Sequence, residues 1–76
     1  MQVVVEGAIT SIEVKTKNDE PITELLLAQK GEREQVKVRL NGDRQDEFEL
    51  FQVEAFSGRL MMWPQRNGIG SMVMVG

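Results

Sequence analysis

The chain has 76 residues, no cysteine and no histidine, a net charge of −3 and a sequence pI near 4.9. That length makes one domain, residues 1–76, of a size that buries only about 60% of its unfolded surface. The missing Cys and His exclude disulfides, Ser-His and Cys-His catalysis, and Cys/His zinc sites.

The first apolar run is Gln2–Lys17, with Val3, Val5, Ile9, Ile12 and Val14 at its apolar positions. Alternation holds on each side of Gly7 and slips between Ile9 and Ile12. A slip beside a glycine predicts a β-bulge, which lets one long strand bend to serve two parts of a sheet. The second run is Ile22–Gln29, centred on Leu25-Leu26-Leu27, and Lys30–Glu34 reads as the hairpin turn that follows. In the third run, Gln35–Leu40, Val36, Val38 and Leu40 alternate with Lys37 and Arg39, so one face is apolar and the other cationic. Over residues 43–54, Asp43, Asp46, Glu47, Glu49 and Glu54 surround the single Arg44. Phe48, Phe51 and Ala55 there have the spacing of one helical face, Asp43 can serve as N-cap, and the early acids suit a helix N-terminus. This predicts a short helix over Asp43–Gln52, with a strand from Phe48 to Phe56 as the alternative. The fourth run extends from Val53 or Glu54 to Trp63, Pro64–Gly70 reads as a polar loop, and Ser71–Val75 is a last short strand.

Strand with a glycine bend, strand, strand, short helix, strand, strand is the layout of the OB fold. The expectation is an all-β, five-stranded Greek-key barrel with one short helix between its third and fourth strands. Four segments also resemble single-stranded DNA-binding OB proteins of bacterial and primosomal type: Gly7-Ala8-Ile9-Thr10-Ser11-Ile12, Val36–Leu40 with Asn41-Gly42-Asp43, Glu54–Leu60, and Gly70–Gly76. The resemblance implies single-stranded nucleic acid as ligand, in replication, recombination or repair, and no catalytic activity.

OB barrels bind oligomers on the face of strands two and three, between the first-to-second and fourth-to-fifth connections. Placed on that layout, Lys15 and Lys17 flank the first connection and Lys37 and Arg39 line the non-core face of strand three. Arg59 lies on strand four, Trp63 leads into the last connection, and Arg66 sits within it. Cations would neutralise phosphates and Trp63 would stack on a base; the alternatives are plain solvation for Lys37 and Arg39, and core or subunit-interface packing for Trp63. The acidic total weighs against such a role unless the acids keep to the helix, away from this face.

Carboxylate pairs such as Asp46 with Glu49 or Asp19 with Glu20 read as solvated charge, and Gly68-Ile69-Gly70 lacks the Lys-Ser/Thr of a phosphate loop. No enzyme, cofactor, metal or small-molecule substrate is therefore expected. The rival reading is a protein-interaction or structural OB module that oligomerises and does not bind nucleic acid, with the methionines of the last two strands in a two-fold interface. An RNA-binding Sm-like or SH3-like barrel ranks below both. A homo-oligomer, dimer or higher, is expected either way. Without a signal segment or an apolar run near ~18 residues, a soluble, cytoplasmic protein is expected.

Overall fold

The structure, a computed structural model, describes all of residues 1–76. Five strands follow in chain order: β1 (Gln2–Lys17), β2 (Glu20–Ala28), β3 (Val36–Asn41), β4 (Val53–Gln65) and β5 (Gly68–Val75). A single 3-10 turn at Gln45–Glu47 lies between β3 and β4. The strands close into one barrel in the order β1-β2-β3-β5-β4, the all-β OB architecture that the order of elements predicts.

Closure depends on β1, which pairs antiparallel with β4 over Gln2–Ala8 and with β2 over Ala8–Lys17. The change of partner comes at the predicted slip, where the β1–β2 register shifts between Ile9 and Ser11. Gly7 is buried there, and a Cβ on it would stand 2.6 Å from the carbonyl oxygen of Ala28. The glycine thus lets two backbones approach where the strand bends. At the far end of β1 the chain reverses through Asn18 and Asp19, both with positive φ (52° and 64°). That is the backbone of a hairpin turn matched to strand twist. The last contact that closes the barrel is the short parallel pairing of Val38–Leu40 with Val73–Val75.

Alternation then decides what is inside. Ile9, Leu25, Leu27, Val38, Leu40, Phe56 and Val73 form the buried cluster, with Val3, Val5, Ile12, Val36, Phe48, Leu60 and Val75 packed against it. Charged groups on the intervening positions face out, as period two requires.

Two expectations are corrected. The helix over Asp43–Gln52 is only the three-residue 3-10 turn, and its N-cap position is Arg44, with no capping by a side chain of its own. The strand alternative also begins later, at Val53. Like charges three apart (Asp43 with Asp46, Asp46 with Glu49) oppose a helix, and an isolated ten-residue helix is marginal. Tertiary contacts then take the segment apart. Thr23 on β2, fully buried, donates its hydroxyl to Gly42 O and accepts Arg44 N–H, both at 2.8 Å. Phe48 turns into the barrel mouth and meets the Phe56 ring at 5.7 Å between centroids. Phe51 N–H donates to Ile9 O, and Ile9 N–H donates to Gln52 O. The second correction is at Pro64–Gly70. It is not a loop but the end of a β4–β5 hairpin whose strands pair out to Gln65–Gly68, leaving only Arg66 and Asn67 as the turn.

Candidate nucleic-acid interface

The outer positions of β2 and β3 follow from the register. Glu24 stands opposite Glu13 of β1 and Arg39 of β3, Leu26 opposite Ser11 and Lys37, and Ile22 opposite Lys15 and Asn41. Arg39 is next opposite Met74 of β5, and Met74 is opposite Arg59 of β4. Two residues back along β3 and β5, Lys37 is level with Met72, which pairs with Met61. Trp63 follows Met61 by two on the same outer side of β4 and pairs with Gly70.

The structure therefore brings Lys15, Lys37 and Arg39 together on one outer face with Met61, Met72 and Trp63. The ring of Trp63 lies across the bare Cα of Gly70, where any Cβ would collide with its indole nitrogen. That contact holds the ring against the hairpin while 36% of the residue stays exposed. A concavity lined by Met62, Trp63, Pro64 and Ile69 continues the apolar surface at the hairpin end. Arg66 lies in the turn beyond, and Lys17 at the β1–β2 turn opposite Glu20; both are exposed. Arg59 is level with Arg39 across Met74, two residues before Met61 on the outer side of β4 and opposite Gln2 of β1, at the edge of this face.

Sequence reasoning missed Glu24. It faces outward among the cations yet is only 7% exposed. Its carboxylate accepts from Arg39 Nη2 at 2.9 Å and Nε at 3.3 Å, and meets Lys15 Nζ at 3.0 Å. Burial pushes the Glu24 carboxyl up, but the hydrogen bonds from Arg39 and Lys15 outweigh it and hold the group below the ordinary glutamate value. The same hydrogen bond, with the charges of Glu24 and Glu13, raises the Lys15 ammonium. So the face is not uniformly basic, because Glu13 and Glu24 share it. Arg39 is half-buried and committed to Glu24, while Lys37 and Lys17 enter no ion pair. The alternation Val-Lys-Val-Arg-Leu announces an outer cationic face, but the partner of each cation sits on another strand.

Of the remaining acids, Glu20 stands opposite Lys17 on the outer side of β2 and so borders this face, while five others lie elsewhere. Asp43, Asp46, Glu47, Glu49 and Glu54 belong to the β3–β4 connection and the start of β4, and Arg44 pairs with Glu47 at 2.8 Å. No group of three or more Asp and Glu residues is arranged to hold a metal ion. No helix is long and apolar enough to cross a membrane. In comparisons with known proteins, no family model, no curated sequence and no solved structure matches this chain.

Proposed function

We propose that this protein is a non-catalytic binder of single-stranded nucleic acid, single-stranded DNA before RNA, serving replication, recombination or repair. The strand would run over the outer face of β2 and β3 toward the β4–β5 hairpin. The observation that carries this reading is the placement of Lys15, Lys37 and Arg39 beside an exposed apolar platform of Met61 and Trp63. Phosphates would meet Lys15, Lys17, Lys37 and Arg66. A base would stack on the free face of Trp63, which the contact with Gly70 holds in place. Arg39 has one guanidinium edge committed to Glu24, so it contributes a fixed, partly neutralised charge. Arg59 lies at the edge of the platform, two residues before Met61 on the outer side of β4.

This arrangement makes binding weak to moderate and electrostatic. For three or four neutralised phosphates, log K should fall with log[salt] at a slope of about −2 to −3, using ~0.7 per phosphate for single strands. The test is a titration with an unstructured oligonucleotide at low and high salt, followed by Trp63 emission and by anisotropy of the labelled strand. Trp63→Ala should weaken binding by the ~1–3 kcal/mol of one stacked base. Lys37→Glu should weaken it further and flatten the salt slope. No binding at low salt, with unchanged Trp63 emission, overturns the proposal.

A further inference from the structure

On the other side of the barrel, the β1–β4 ladder sets Gln2 opposite Arg59, Val4 opposite Ser57, Glu6 opposite Ala55 and Ala8 opposite Val53. All eight are outer positions, since Val3, Val5 and Phe56 pack with the core. The water-facing side of an antiparallel sheet normally carries polar side chains. Here the strip is small or apolar apart from Gln2, one acid and one base. Val4 is 73% and Val53 65% exposed, and Phe51, which leads into Val53, is 76% exposed. Neither Glu6 nor Arg59 takes part in any of the chain's ion pairs, which are Lys15–Glu13, Lys15–Glu24, Arg39–Glu24 and Arg44–Glu47. Arg59 instead borders a depression walled by Gln2, Ser57, Met61 and Met74.

We infer that this strip docks a second copy of the same chain face to face, with two reciprocal Glu6–Arg59 pairs around a Val4–Val4 contact. Glu6 and Arg59 occupy opposite corners about the Val4/Ser57 row. A two-fold axis in the contact plane, nearly perpendicular to the strands, therefore brings each Glu6 onto the partner's Arg59 and each Val4 onto the partner's Val4. From ordinary strand spacings, the two sets of strands then cross at roughly 40°, close to the ~30° of aligned sheet packing. Faces packed in that way stand ~10 Å apart, a gap that Glu and Arg side chains span and that Val4, Ala55 and Ser57 do not obstruct. The pairing is self-complementary, as an isologous contact must be. A copy of unrelated sequence has no reason to match one acid and one base at that diagonal. β3 borders neither β1 nor β4, so the contact does not cover Lys37, and it does not depend on the nucleic-acid reading.

Sedimentation equilibrium on the full chain tests it, with circular dichroism to check that each variant is folded. The unmodified chain should be predominantly dimeric by the time its concentration reaches about 200 μM. Glu6→Arg and Arg59→Glu should each weaken it about tenfold or more, by placing like charges together, and the double exchange should restore it. Val4→Lys, at an exposed position, should give a folded monomer even if one of the charge variants fails to fold. A monomeric wild type overturns the inference. So does a dimer that the single exchanges leave unchanged, that the double exchange does not restore, or that survives Val4→Lys.

Discussion

Phe51 occupies a backbone conformation that its side chain opposes. Its φ is +69°. Together with Gln52 it faces Ile9 two residues to one, the arrangement of a β-bulge whose first position is left-handed and ordinarily glycine. Its ring gains little in return, being 76% exposed. A left-handed conformation costs a non-glycine residue on the order of 1–2 kcal/mol. Phe51→Gly is therefore expected to stabilise the isolated barrel by about 1 kcal/mol, read as a higher denaturant midpoint at unchanged slope. A lower midpoint would mean that the ring has a partner in the folded protein. None of this was legible in the sequence. Phe48, Phe51 and Ala55 have helical spacing, and only the hydrogen bonds with Ile9 turn Phe51 out of that pattern. Thr23 was equally silent: nothing local marks a threonine on β2 as the group that satisfies Gly42 and Arg44 twenty residues on.

At the scale of elements, reading worked where alternation was strong and neighbours agreed. The bent β1, the two-faced β3 and the slip after Ile9 all appear where the pattern of valines, isoleucines and glycines puts them. It failed at residues 43–52, where the helical spacing is real but too short to hold a helix without packing. It also failed at Pro64–Gly70, where polar and glycine residues hide a paired hairpin. Gly58 shows how tightly the elements meet: buried on β4, it lies against β5 so closely that a Cβ would overlap the Met74 carbonyl. Gly58→Ala must push β4 away from β5 at the point where β5 also closes the barrel on β3. A loss of about 1–3 kcal/mol is expected, as for other overpacked interiors, and thermal unfolding measures it. A loss below about 0.5 kcal/mol, the range of neutral surface changes, would show that the two strands do not meet as described.

For the molecule as a whole, Glu24 ties three strands together through Lys15 of β1 and Arg39 of β3, and this couples folding to pH. Its carboxyl titrates below the ordinary glutamate value in the folded protein, so the folded state binds its proton less readily than the unfolded chain. The stability it adds is complete above the unfolded value of ~4.3 and is lost as pH falls through the lower folded value. Glu24→Gln should cost about 1–2 kcal/mol at pH 7, and the gap from wild type should close as pH drops toward 3. A gap that stays constant over that interval would assign the cost to packing rather than charge.

The barrel itself, its order of strands and the outward face of Lys37 and Arg39 follow from the linear sequence. Alternation, turn residues and a bulge beside a glycine act over a few residues, and a closed five-stranded sheet turns the apolar side of that pattern toward its core. Which charges stay free, where Phe51 points and which strip is left apolar were decided only by the tertiary structure. These depend on register between strands far apart in the chain, where a partner such as Glu24 for Arg39 is set by barrel closure and not by any neighbouring residue.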